Sequence, residues 1–298
     1  MQPRRRRFAV AGLVMLLCGC GGQGKPSAPP PYVSKRQKPA PGADMAELAD
    51  TLKQAGVDTA TLENVYEFAG KNFYGLRVNG AQAVDLWRKL RGLVEKTGRW
   101  PVIAGAPISV DGHADFMKSS EIDKPENVLA RAEKAPAEKW FKEAFAEWKQ
   151  LSAADPSASH ETGQWPDKVE RLEKYTIPTE ILSGTPLPEV TIVLVPTPNS
   201  WEVPAWLMFG GWNECPIPEV QVALLKFWHE KYGAEIVGIS HDVMELEVTR
   251  PPKERQAALA LAREQFVFCQ DIVTQGAGSV DALAATLLNG KVWYFWWD

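Results

Sequence analysis

Cys215 and His229 are the side-chain types of a thiol nucleophile and its base, and Asp271 or Glu214 offers a carboxylate to orient the imidazole. A second set, Glu202, Glu214, Glu235 and Asp298, has the residue types of an acid and base pair for glycoside or amide hydrolysis. No spacing among these four is specific to that chemistry, and acids equally hydrate a soluble surface. His113, His160, His229 and His241 are scattered. His113-x-Asp115 and His241-Asp242 are too short and isolated to specify a coordination geometry, so no metal is expected. A phosphate loop, a dinucleotide glycine fingerprint and a Gly-x-Ser-x-Gly nucleophile elbow are all missing from the sequence, and no cofactor is expected.

Aromatic side chains carry a different chemistry. Of the 12 tryptophans, Trp201, Trp206, Trp212, Trp228, Trp293, Trp296 and Trp297 fall near the end of the chain. Strand alternation over Val292 to Asp298 puts Trp293, Phe295 and Trp297 on one face and Tyr294, Trp296 and Asp298 on the other. If one face is core, the other is an aromatic, acid-tipped surface suited to a peptide, a sugar or a partner protein. Trp201-Glu202 and the segment Gly210-Gly-Trp-Asn-Glu-Cys-Pro216 extend this set, making Trp201, Glu202, Trp212, Asn213, Glu214, Trp296 and Asp298 the candidate binding residues. The glycine pair in that segment fits a site-building loop, and it fits a tight structural turn in which Asn213 satisfies backbone groups.

The elements that must position these residues belong to a chain of globular make-up: 298 residues, 45% hydrophobic and 23% charged, which excludes disordered, collagen-like and polytopic membrane classes. The formal charge of −4 hides an asymmetry. Eight of the 33 basic residues precede Asp44, the first acid, so 25 remain beyond it against 37 acidic residues. A body so acidic repels phosphate backbones, and nucleic acid is not an expected partner.

Arg4 to Arg7 precede the apolar run Phe8 to Leu17, which is too short for a permanent membrane helix and reads as a signal peptide over residues 1–19. Leu17-Cys-Gly-Cys20 resembles the lipobox of bacterial lipoproteins, which implies lipidation of Cys20 with fatty acyl chains such as palmitate. Gly21 lacks the aspartate that commonly retains lipoproteins in the inner membrane, favouring the periplasmic side of the outer membrane in a Gram-negative cell. Residues 20–43 hold the lipidated cysteine and a linker with Pro26, Pro29-Pro-Pro31, Pro39 and Pro41, a semi-extended spacer without core-forming side chains.

Residues 44–187 read as an N-terminal α/β region. Met45, Leu48 and Leu52 recur at helical spacing, a short helix is expected over residues 59–69, and a strand over residues 72–78 precedes a helix over residues 81–96 and a strand over residues 100–104. That strand, helix, strand order predicts parallel pairing of the two strands. Aromatic residues between Ala135 and Leu151 mark another helix, and residues 152–168 read as a surface connection. Residues 188–298 form a C-terminal α/β domain in the order strand, helix, hairpin, helix, helix, strand. The fold class is α/β of the α+β kind, a mixed β-sheet flanked by helices.

The segments Trp201-Glu-Val-Pro-Ala-Trp206, Phe209 to Pro216, Phe227-Trp-His229, Tyr232-Gly-Ala-Glu235, Arg250-Pro-Pro252, Ala260 to Gln265, Gln275-Gly276 and Val292 to Asp298 together resemble the bacterial family called domain of unknown function 4253. The resemblance implies no activity and carries over no catalytic residue.

In the oxidising periplasm a catalytic thiol would be unprotected, and Cys215 and Cys269 are then left as a pair. Three readings stand for them: a disulfide worth about 4 kcal/mol in loop entropy, inert buried thiols, or a catalytic cysteine. Two functions follow. The favoured one is a lipid-anchored module that binds a protein partner or envelope ligand through the acidic, tryptophan-rich surface. The alternative is an envelope hydrolase using the 210–215 loop with His229 and a carboxylate. Mass spectrometry of the native protein should find a mature chain starting at Cys20 and carrying acyl chains; an unmodified Cys20 or a retained Met1 would overturn the lipoprotein reading.

Overall fold

The computed structural model describes residues 44–105, 123–154 and 163–298. Cys20, the Pro-rich linker, His113 and His160 lie outside them. The described residues form a seven-stranded mixed sheet flanked by helices, with the strands ordered β1-β2-β4-β3-β5-β6-β7. The strands are β1 (Glu63–Phe68), β2 (Lys71–Val78), β3 (Trp100–Ile103), β4 (Val190–Val195), β5 (Ala234–Ile239), β6 (Val243–Val248) and β7 (Val292–Trp296). Among them run α1 (Met45–Gln54), α2 (Gly80–Arg91), α3 (Val94–Thr97), α4 (Pro125–Ala132), α5 (Ala137–Ala154), α6 (Val203–Leu207), α7 (Pro218–Tyr232), α8 (Arg255–Phe268) and α9 (Val280–Leu287). None of these helices is long and apolar enough to cross a membrane.

The C-terminal order is the expected one with a short helix, α6, added between β4 and α7, and its local signals act as their chemistry requires. Pro218 opens α7 and Gly233 closes it in the left-handed region at φ 62°. The Ser279 hydroxyl caps α9 by accepting from the Ala282 amide at 3.2 Å. The expected single helix over residues 81–96 is broken at Gly92 and Leu93 into α2 and α3.

Two expectations in the N-terminal region are corrected. The helix expected over residues 59–69 is the strand β1. Ala69 and Gly70 both have positive φ, 50° and 71°, the backbone of a tight primed turn that folds β1 back on β2 with Phe68 opposite Lys71. Cross-strand pairing to β2 thereby replaces helix formation. The parallel strands β2 and β3 are not neighbours either, because β4 inserts between them and pairs antiparallel with each. A partner from far along the chain offered both strands a buried, fully hydrogen-bonded neighbour that local order could not reveal. The sheet's one parallel contact is between β3 and β5. Strands from residues 44–187 and from residues 188–298 are thus members of one sheet.

The central strands β3, β4 and β5 are buried at every residue, and an aromatic part of the core lies on the sheet face covered by α5, α7 and α8. The fully buried Trp228 of α7 stacks on Phe141 of α5 and on Phe295 of β7, at 5.5 and 5.7 Å between ring centroids, and meets Phe268 of α8 at 5.1 Å. Such pairs add about 0.5–1.5 kcal/mol each beyond their area. On the opposite face α2 buries Ala83, Trp87 and Leu90, the Trp87 indole donating to the Pro101 carbonyl at 2.9 Å, and adds two ion pairs: Arg91 grips Glu235 with two hydrogen bonds of 2.6 and 2.7 Å, and Arg88 reaches Glu247 at 3.0 Å. Glu235 is therefore a structural partner, not an available acid.

β7 alternates as its sequence requires. Trp293, Phe295 and Trp297 are buried, whereas Tyr294 and Trp296 are half-buried on the other face. Trp297→Ala should lose roughly 3–5 kcal/mol of stability, as large aromatic deletions from a core do, and Trp296→Ala clearly less. Denaturant unfolding of the two variants checks this, and equal losses would mean that both faces are core.

Candidate functional site

The outward face of β6 and β7 is crossed by an irregular strap, residues 163–187. It is tied down at one end by the Arg171 guanidinium donating to the Leu288 carbonyl at 2.8 Å, and at the other by the Gly80 amide donating to the Leu187 carbonyl at 2.9 Å. In between, the carboxylate of Glu245 on β6 accepts from the Thr176 amide at 2.6 Å, the Thr176 hydroxyl at 2.8 Å and the Ile177 amide at 3.2 Å. Glu245 is only 1% exposed. Its burial raises the carboxyl pKa, and the hydrogen bonds from Thr176 and Ile177 pull the other way. The Glu245 carboxyl thus ties the strap to β6.

Beside this latch the strap turns through a small loop. The Glu180 amide donates to the Thr185 carbonyl and the Gly184 amide to the Glu180 carbonyl, both at 2.8 Å, while Thr179 bridges Pro186. The loop holds Ile181 and Leu182 in solvent, 91% and 94% exposed. Between this tip and β7 lies an open groove of about 960 Å³, with Ile177, Val243, Tyr294 and Trp296 among its walls and Asp242 and Glu180 as its acids.

The Trp296 indole N–H donates to Asp242 at 3.0 Å, which fixes the ring against the groove. Tyr294 sits opposite Glu245 across the strand pair, and its phenol pKa is pushed up to about 12 by burial, with the charges of Glu245 and Asp242 adding to the shift. The phenol is therefore neutral at physiological pH, a hydrogen-bond donor rather than an anion.

The candidate residues read from the sequence separate into three places. Trp296, Asp298 and Asp271 converge at the end of β7: the Asp298 amide and the Gln275 side chain each donate to the Asp271 carboxylate at 3.0 Å. Trp201 rests on the His229 ring at 4.6 Å, and Glu202 accepts from Asn199 and Thr197. Trp212, Asn213, Glu214 and Cys215 belong to the 210–216 loop, which is a tight turn. Its carbonyls at Phe209 and Pro216 are held by the Gln221 amide, both at 2.8 Å, and the Gly211 amide donates to the Cys215 carbonyl at 3.0 Å. A side chain at Gly210 would meet the Pro216 carbonyl oxygen at 2.1 Å, so the glycine is a packing requirement of this turn.

The nucleophile, base and orienting acid do not assemble. Cys215, His229 and Asp271 share no hydrogen bond. The His229 Nδ1 is 3.2 Å from the Ala234 carbonyl oxygen, and the Cys215 sulfur accepts from Gln221 at 3.5 Å. Burial raises the Cys215 thiol, with the neighbouring Cys269 as the next cause, and it pushes Cys269 up to about 12, so both are the opposite of activated. Nor are they a disulfide: both are free, and the Cys269 thiol donates to the Trp296 carbonyl at 3.0 Å. Among the described residues no group of three or more His, Cys, Asp or Glu can hold a metal ion.

Sequence reading missed the Ile181-Leu182 tip, the Glu245 latch and the role of Asp242. The turn-forming Ser183-Gly184 signalled a loop after Leu182, but nothing local showed that it would stand beside β7.

Residues 191–298 match the model of a family described as domain of unknown function (DUF4253). No curated protein and no solved structure gives a significant match to the chain. The matched residues contain Asp242, Glu245, Tyr294 and Trp296, whereas the strap lies before them.

Because burial raises the Glu245 pKa above its ordinary 4.5, the folded protein holds that proton more tightly than the unfolded chain does, and the group's contribution to stability falls as pH rises from about 4.5 through the folded pKa. Melting temperatures of wild type and Glu245→Gln should therefore move relative to one another over that window, the variant gaining on wild type as pH rises. A constant difference across it would overturn the assignment.

Proposed function

We propose that the chain is a lipid-anchored binding module of the bacterial cell envelope, tethered through Cys20, whose groove beside β7 takes an apolar segment of a partner protein. The observation that carries this reading is the Ile181-Leu182 tip. Two large apolar side chains almost wholly in solvent cost a soluble protein unless something covers them, and here they stand on a hydrogen-bonded loop beside an aromatic floor. Trp296, fixed by Asp242, and neutral Tyr294 supply the large, rigid contact area typical of interface anchors.

Charge supports the choice of partner. Asp242 and Glu180 line the groove, and the body beyond residue 43 has a large excess of acids, so the fitting segment carries an apolar anchor with Lys or Arg beside it. The hydrolase alternative has no comparable support, since its three groups are apart and both thiols are held protonated.

Peptide display against the protein should enrich sequences with an apolar anchor flanked by basic residues. The double variant Ile181→Ser/Leu182→Ser, changed only at exposed positions, should keep its stability within about 0.5 kcal/mol and lose at least about tenfold in affinity for those peptides. Enrichment unaffected by this variant, or no enrichment, would overturn the groove as the binding site.

A further inference from the structure

The two edges of the sheet are built differently. β1 carries Glu63 and Glu67 and is interrupted by a bulge between Asn64 and Tyr66, devices that blunt a free edge against pairing with another strand. β7 reads Val292-Trp-Tyr-Phe-Trp296, with no charge, no proline and an unbroken register against β6. Its free side follows from the ladder. The Val248 amide donates to the Lys291 carbonyl at 2.8 Å and the Trp297 amide to the Asp242 carbonyl at 3.1 Å. Bonds toward one neighbour recur at every second residue, so Trp293 and Phe295 also turn their backbone groups to β6, and Val292, Tyr294 and Trp296 turn theirs outward. The last part of that edge is closed: the Trp296 carbonyl accepts from the Cys269 thiol and the Asp298 amide donates to Asp271, both at 3.0 Å. Among the described residues nothing bonds the outward N–H and C=O groups of Val292 and Tyr294.

These groups border a cavity of about 270 Å³, which Val292, Trp293 and Tyr294 all line. Successive side chains of a strand point to opposite faces, and Trp293 is packed in the core, so three consecutive residues can share one cavity only along their backbone. The other walls include Ile272 and Gln275 of the π-helical turn Ile272–Ala277, Leu283 and Leu287 of α9, and Glu170 and Leu172 of the strap. We propose that this edge of β7 receives one extended peptide strand from a partner with alternating apolar and basic side chains. Alternate residues of that strand turn both N–H and C=O to Val292 and Tyr294, the bonds of strand addition. Charge selects its side chains. The charged residues lining the cavity are Glu170 and Asp271, with no Lys, Arg or His among the described lining residues, so Lys or Arg fits beside the apolar walls and Asp or Glu does not. A second copy of this chain fits poorly, since its own Glu170 and Asp271 would meet those of the first. At about 30 Å³ per water the cavity holds roughly nine waters, which is room for a short stretch of a single strand.

The site is separate from the groove proposed for an apolar segment, although Tyr294 and Trp296 border both. The blocked peptide acetyl-Lys-Val-Thr-Val-Lys-amide is a suitable probe, with acetyl-Glu-Val-Thr-Val-Glu-amide as its acidic counterpart. Titrated into the full chain, the basic peptide should move the backbone N–H resonances of Val292 and Tyr294 saturably and slow their exchange with solvent. N-Methylation at both valines and N-methylation at the threonine should have opposite effects, one pattern losing at least about tenfold in affinity and the other less than about twofold, because only alternate residues face the edge. The acidic peptide should bind at least about tenfold more weakly. Val292→Pro removes an outward donor and none of the bonds to β6, so it should lose at least about tenfold in binding while the amide resonances of β6 stay in place. Ile181→Ser/Leu182→Ser should leave the titration unchanged, which separates failure of this site from failure of the groove. Unmoved resonances, both methylation patterns tolerated or both lost, equal binding of the acidic peptide, or unaltered binding by Val292→Pro would overturn the proposal. So would a dimer in sedimentation that Val292→Pro dissolves, which would give the edge to a second copy.

Discussion

The indole of Trp228 is where the sheet and its helices are joined. It lies on α7, meets Phe141 of α5, Phe268 of α8, and both Trp293 and Phe295 of β7, and its N–H donates to Glu264 at 2.9 Å. Because these rings pack against one another at fixed separations, the inward side chains of β7 have a single arrangement available. Strand geometry then dictates the outward ones: Tyr294 and Trp296 must point away from the core. The aromatic surface at the groove is thus a consequence of the aromatic core behind it.

A second layer of control comes from charge on the outward face. Arg88 and Arg91 of α2 are matched to Glu247 and Glu235, and Glu245 is matched to backbone and hydroxyl donors of the strap. On β6 the acids Glu245 and Glu247 alternate with Met244, Leu246 and Val248, so the alternation that buries the latter also sets out anchors on the opposite side. The strap is held by the buried Tyr175 and Ile177 and by hydrogen bonds along its length, and the Glu245 carboxyl ties down the part of it that precedes the Ile181-Leu182 tip. That arrangement couples the groove wall to a titratable group without placing the group in the groove as a catalyst.

The cysteines illustrate how tertiary context overrules residue type. Of the readings open for Cys215, the structure favours the inert buried thiol: the glycine-rich turn packs under Gln221 and buries the sulfur. Cys269 ends α8 and spends its proton on the last strand. Burial in apolar surroundings disfavours the thiolate, which removes the chemistry that a thiol, an imidazole and an acid suggest on paper.

Periodicity and punctuation in the amino-acid sequence determined the fold class, the order of the C-terminal elements, the caps at Pro218, Gly233 and Ser279, and which residues of β7 share a face. These depend on neighbours within a few positions, where 3.6- and 2-residue repeats and special backbone angles act directly. Only the tertiary structure decided that residues 63–68 are a strand, that β4 divides β2 from β3, and that Trp296, Asp242, Ile181 and Leu182 meet at one groove. Each of those outcomes turns on partners brought together from distant parts of the chain, and the free energy of burying and hydrogen-bonding such partners outweighs the weak local preferences that a linear reading can detect.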